Sequence, residues 1–260
     1  MHTYVAAARS SFRRQRTYRA ATVAGVFTNT VFGFILASVL RAALAGRAHV
    51  GALDVTGAVT FTFVAQGLLS VMGAFGWREV AERVASGDIA VDLYRPVSFS
   101  AWWGALWFGR AAFAVLARGI PPFLAGALAF HLRLPARPVT WVWFAAAVTL
   151  GTAVASRFWL LVNLAAFWLM EVRGLVTLAV MVLTVASGFT VPLQFLTGWP
   201  GALCRWSPFP TLAQFPVEVF LELRAGWRAV VPALAWLAAL EGAVRVVLRR
   251  ATRKVVLQGG

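Results

Sequence analysis

Residues 77–98 read WREVAERVASGDIAVDLYRPVS, and the fold turns on how this stretch is understood. It holds four of the nine acidic residues, Glu79, Glu82, Asp88 and Asp92, with long apolar runs on both sides. It is therefore a polar island between membrane spans. Its pattern predicts two short helices. Val80 and Val84 share a face at i, i+4, and Glu79 and Arg83 can pair on the solvated side. Gly87 suits the position after a helix C-terminus, and Asp88 can N-cap a second turn. Arg95 precedes Pro96 and is pushed out of helical geometry, so that turn ends there. Two readings fit these residues: a solvated loop, or a docking element for a cytoplasmic partner.

The surrounding composition sets the class. Of 260 residues, 60% are apolar and 13% charged, with mean hydropathy +0.76. A soluble domain carries about 25% charged residues. The apolar runs are long enough to cross a bilayer, which takes about 20 residues. A net charge of +15 would point to nucleic acid in a soluble protein. Here the basic residues gather at span ends, so anionic lipid headgroups are the expected partner and nucleic acid is not. The lone cysteine, Cys204, excludes a disulfide within the chain. The first 20 residues hold five arginines and no long apolar core, so no cleavable signal peptide is expected.

Outward from the island, the chain reads as six spans. Thr3 to Arg19 has Tyr4, Val5, Ala8 and Phe12 on one side and Arg9, Arg13 and Arg16 on the other. That pattern fits an interfacial helix; a plain basic tail is the alternative. Spans are expected at about 20–44, 55–76, 107–131, from 139 along an apolar run to 170, 175–192 and 227–248. Arg47 and His49 lie in the first link. Trp102, Trp103 and Trp107 have the composition of an interfacial aromatic belt. The third span contains Arg110, Arg118 and a break at Gly119-Ile120-Pro121-Pro122. Arg110 is expected to snorkel and Arg157 to mark the inner end of the fourth span. Arg118 is deeper and must face protein or a wet cavity. The carbonyl freed by Pro121 can help satisfy it; structural pairing and contact with an anionic substrate both remain open. Residues 188–226 carry prolines and Trp199 and Trp206, which predicts short, broken, half-embedded helices covered by protein or water.

Six spans place both termini on one side. With the termini inside, 14 basic residues face the cytoplasm and seven the other face, which favours cytoplasmic termini.

Gly87-Asp88-Ile89-Ala90-Val91-Asp92-Leu93-Tyr94-Arg95-Pro96-Val97 resembles the cytoplasmic segment of type-2 ABC exporter permeases, in their small six-span group. Ser187-Gly188-Phe189-Thr190-Val191-Pro192-Leu193, then Trp199-Pro200 and Ser207-Pro208-Phe209, is similar to that group's fifth-span end and external re-entrant helices. One departure is Thr197-Gly198, where the family more often has a proline before the tryptophan. The resemblance covers nearly the whole chain and implies a single all-α transmembrane permease domain, 1–260, in the plasma membrane. Its expected parts are an interfacial helix (1–19), a cytoplasmic coupling segment (77–98) and an external re-entrant segment (188–226). Expected partners are two ATPase subunits and a second permease, identical or related. The expected ATPase-coupling residues are Glu79, Val80, Glu82, Arg83, Val84, Gly87, Asp88, Arg95 and Pro96. Val80 and Val84 would enter a partner's groove, and Glu79, Glu82 and Arg83 would form its charged rim. Gly188, Pro192, Trp199 and Pro208 are the expected external gate, and Arg118 lies on a possible substrate path.

The chain has no Gly-x-x-x-x-Gly-Lys-Ser/Thr phosphate loop, and its single lysine is Lys254. ATP and Mg²⁺ are therefore expected on a partner. Two other classes stand as alternatives. The membrane subunit of an energy-coupled importer also docks ATPases, but the faint likeness at Ala117-Arg118-Gly119 falls inside a span. A membrane-embedded enzyme would show clustered acids or histidines, whereas His2, His49 and His131 are dispersed.

Overall fold

The computed structural model of the protein describes residues 2–46, 49, 51–73, 76–169 and 171–258, and the side chains of all of these except 70 and 254–258. Arg47, the 74–75 end of the second expected span and Met170 lie outside the described residues. The chain is 78% helix, with no strand among the described residues.

A short α1 (His2–Gln15) turns sharply into α2 (Arg19–Ala43), and α3 (Val55–Met72) returns. The polar island forms α4 (Glu79–Ser86) and α5 (Ile89–Leu93). Next come α6 (Phe99–Ala114), a π-helical turn at Val115–Gly119, and α7 (Ile120–Ala129). The long α8 (Pro138–Leu164) opens with proline at its first position, where the missing N–H costs nothing. Then follow α9 (Arg173–Ala186), α10 (Gly198–Trp206), α11 (Gln214–Phe220) and α12 (Trp227–Gln258).

Among the described residues, four helical stretches are long and apolar enough to cross a membrane: Arg19–Ala43, Phe99–Ala129, Pro138–Phe167 and Trp227–Arg253. The helices α3 and α9 are apolar but shorter. The expected fifth span to residue 192 stops at Ala186, because Gly188 takes φ +77 and turns the chain aside. Nor does the third span break at Gly119–Pro122. A π turn absorbs the prolines, which sit at the first positions of α7, where their missing N–H groups matter least. That span also begins at Phe99 rather than 107.

The early start changes the role of the tryptophans. Trp103 and Trp107 are buried, not arrayed in an interfacial belt. Each packs edge-on against Trp77, and with Trp159 and Met72 they form the main core. The indole of Trp159 donates to the Met72 carbonyl at 2.8 Å.

The first helix packs tightly on α6. A side chain at Gly109 would run into the Ala8 carbonyl, so only glycine permits this approach. Ala7 and Ser11 are buried against α6, Tyr4, Ala8 and Phe12 partly so, while Val5 points outward. The inner face is thus rotated from the expected one. The phenol of Tyr4 accepts from the Ser98 N–H, and Phe12 stacks edge-on against Phe113.

Candidate functional site

Besides the Tyr4–Ser98 bond, Asn163 and Glu79 make polar joints between the island and the rest of the chain. The first is Asn163, fully buried near the end of α8. Its Oδ1 accepts from the Ala81 N–H at 3.0 Å, and its Nδ2 donates to the carbonyls of Trp77 and Trp159, each at 2.8 Å. Arg78, before α4, offers no side-chain cap. Asn163 therefore satisfies an orphan N–H of the first turn of α4 from a distant helix. A lone amide within the apolar run Leu160–Leu164 was the available signal, and its partner 82 residues away was not legible.

The second joint is Glu79. It accepts from Arg110 of α6 at 2.6 Å, from Arg14 of α1 at 3.1 Å and from the Trp77 indole at 3.4 Å. Burial works to raise this carboxyl, but Arg110, Trp77 and Arg14 outweigh it and hold it below the ordinary carboxylate range. Arg14 is raised in turn, chiefly by the charge of Glu79. Arg110 thus has a carboxylate partner instead of snorkelling.

These joints correct the expected docking face. Glu79 pairs with Arg110 and Arg14, not Arg83. Val80 is fully buried in the chain's own core, and Val84 packs partly against it. Arg83 instead bonds the buried Asp92, which also takes Arg95 at 3.3 Å. Asp92, absent from the expected coupling residues, thus holds α4 and α5 together. Arg95 lies over the Trp102 ring at 4.4 Å from its centroid, fixing the exit into α6. Gly87 follows α4 with φ +82. Asp88 precedes α5 without capping it, and its carboxylate accepts from Ser86.

The exposed residues of the island include Glu82, Val91, Tyr94 and Pro96, with Tyr94 88% exposed, beside the small and polar residues of the 85–88 turn. Beside it runs a groove of about 630 Å³ between α4 and the segment joining α8 to α9, lined by Arg78, Glu82, Val84, Gly87, Phe167 and Arg173 among others.

At the opposite end of the bundle, segment 187–226 is locked by a buried amide–carboxylate set. Gln214 accepts from the Leu193 N–H at 3.1 Å and donates to Glu218 at 2.7 Å. Glu218 also takes Gln194 and Arg224. Gly188 sits against the Gln214 carbonyl, leaving no room for a side chain. Pro192 is buried, Pro208 begins a single 3₁₀ turn, and α10 starts at Gly198 with φ +71. Trp199 and Trp206 stand out, 78% and 83% exposed. Nearby, Glu222 takes Thr140 at 2.7 Å and Arg137 at 3.2 Å.

Within the spans, Arg157 does not end a helix in isolation; it bonds Glu241 of α12 at 2.7 Å, beside Ser100 and Arg245. Arg118 has no ion pair among the described residues. It donates to the Ala21 carbonyl of α2 at 3.2 Å, replacing the expected carbonyl of residue 117. Its own carbonyl accepts from Asn29 at 3.4 Å.

No curated protein and no solved structure matches the chain. The sequence model of the family described as "ABC-2 family transporter protein" matches residues 50–259, from before α3 to the end of α12. The match takes in the island, the external segment and all but the first two helices. This multi-pass membrane protein belongs to the ABC-2 family of transporter proteins.

Proposed function

We propose that the chain is the permease subunit of an ATP-driven exporter, converting hydrolysis on separate ATPase subunits into opening of a membrane path. In this reading α3 and α9 also cross the bilayer, making six spans with both termini cytoplasmic. The island docks one of two ATPases, which carry ATP and Mg²⁺, and a second permease completes the pair. The segment 187–226 forms a re-entrant external gate.

The observation that carries the reading is the build of α4 and α5. An ATPase drives a membrane path only through contacts whose energy differs between nucleotide states. Such contacts need an outward face and a rigid inward attachment. The island has both: Tyr94, Val91 and Glu82 face out, while Asn163 joins it to α8 and Glu79 to α6 and α1. A push on Tyr94 is transmitted to helices that cross the membrane. A solvated loop needs neither joint.

The direct test is affinity purification of the tagged full chain from membranes co-expressing its candidate ATPases. Recovery of a phosphate-loop ATPase whose hydrolysis responds to the permease supports the reading. Recovery of a substrate-binding membrane partner instead would favour an importer, and a chain isolated without any ATPase would contradict the proposal.

A further inference from the structure

The elbow between α1 and α2 carries a basic cluster that no carboxylate pairs with among the described residues. Among the described residues, eight of the nine acids form ion pairs; Glu79 reaches the end of α1 but pairs there with Arg14, and none of the eight pairs with Arg13, Arg16 or Arg19. The ninth, Asp88, bonds Ser86. Arg13, Arg16 and Arg19 have no ion pair among the described residues, and all three are exposed. They line a cleft of about 680 Å³ whose remaining wall includes Thr22, Val23 and Phe113.

Backbone bonds bring the three together. Arg16 N–H bonds the Arg13 carbonyl, and Arg19 N–H bonds that of Thr17, so the elbow is a closed turn. Helix α2 then starts without a side-chain cap and without an acid in its first turn. The positive end of its dipole adds to the field of the guanidinium groups. The other wall is apolar: Val23 is 69% exposed on the spanning helix, and Phe113 is held edge-on by Phe12.

We propose that this elbow is a discrete site for one anionic phospholipid of the leaflet in which α1 lies. Its phosphate is taken by Arg13, Arg16 and Arg19, and an acyl chain runs along Val23 and Phe113. Guanidinium groups suit phosphate oxygens because their paired N–H donors match them. The apolar wall rising from the charged cluster separates a lipid from a free anion. This goes beyond the transport reading and does not depend on it.

The test is native mass spectrometry of the full chain in detergent, titrated with phosphatidylglycerol or phosphatidylcholine. Retained phosphatidylglycerol is expected to saturate at one per chain, in preference to phosphatidylcholine. Equal retention of the two, or uptake that never saturates, would overturn the site. The Arg13→Gln, Arg16→Gln, Arg19→Gln variant should lose preference by on the order of a hundredfold, roughly fivefold per arginine. Removing as much charge at Arg249, Arg250 and Arg253 should leave it unchanged. Equal losses in both triples would reduce the effect to diffuse attraction and overturn the proposal. Inorganic phosphate should not displace the lipid; displacement would make this a free-anion site and overturn it too. If the elbow triple does not fold, Arg16→Gln decides, with a roughly fivefold loss expected and no loss contradicting the site.

Discussion

Glu79 and Arg110 meet at 2.6 Å, one on the helix of the polar island and the other on a spanning helix, with Arg14 completing the contact from the N-terminal helix. Three elements that are separate in sequence are therefore tied together by one carboxylate. Both side chains are about 30% exposed, so solvent screens part of the attraction. Glu79→Gln should cost about 1–2 kcal/mol, read as a lower unfolding temperature in detergent. A charge-reversed Glu79 would bring three positive groups together and disturb folding, so it is a poor probe of partner binding.

The same pair sets a pH dependence. The Glu79 carboxyl is held below its ordinary range in the folded chain, so its contribution is fully present above the unfolded value, about 4.3. It is lost as pH falls through the lower folded value. Unfolding temperature should therefore drop on acidification, with a shallower drop in Glu79→Gln. Glu222, also lowered, by its bonds to Thr140 and Arg137, leaves a residual acid limb in the variant. Parallel acid limbs in the two proteins would contradict the assignment.

Asn163 is the joint whose loss should reach function. Asn163→Leu leaves the Ala81 N–H and the Trp77 carbonyl without their partner in a buried setting. The cost should be about 2–4 kcal/mol, with each group facing its own desolvation penalty. Thermal unfolding measures the loss, and ATPase activity in the assembled transporter should uncouple from substrate. Stability and coupling both equal to wild type would remove Asn163 from the account.

The external segment separates packing from gating. Gly188→Ala must strain a positive φ and displace Gln214, which should destabilise the chain by more than about 1 kcal/mol. Trp199→Ala removes an exposed ring, so folding should be unchanged while transport falls. Unchanged transport in a well-expressed Trp199 variant would count against a gate.

Four apolar helices long enough to cross a membrane, and the helices of the island, were legible because apolar length and charge clustering are local properties of the chain. Gly87, the end of α5 before Pro96 and the broken segment after Gly188 followed from backbone rules of single residues. Facing direction was not legible. Val80 and Val84 share a helical face, as their spacing demands, but periodicity does not say whether that face meets a partner or the chain's own core. The partners of Glu79, Arg157 and Arg118 lie 31, 84 and 97 residues away, beyond any local pattern. Trp103 and Trp107 misled for a related reason: an aromatic cluster near a span end has the same composition in an interface belt as in a core.

In the proposed mechanism the outward face of α4 and α5 docks the ATPase. Tyr94 is its largest exposed side chain, and aromatic anchors of this kind often dominate an interface. The deciding measurement is ATPase co-purification with the full-length Tyr94→Ala, Glu82→Lys variant, with Trp199→Ala as a control at the far end. The variant should remain folded and retain on the order of a thirtyfold less ATPase, corresponding to about 2 kcal/mol, while the control retains the wild-type amount. Equal ATPase recovery and equal coupled transport in the Tyr94, Glu82 variant would contradict the docking assignment and return residues 77–98 to a solvated loop.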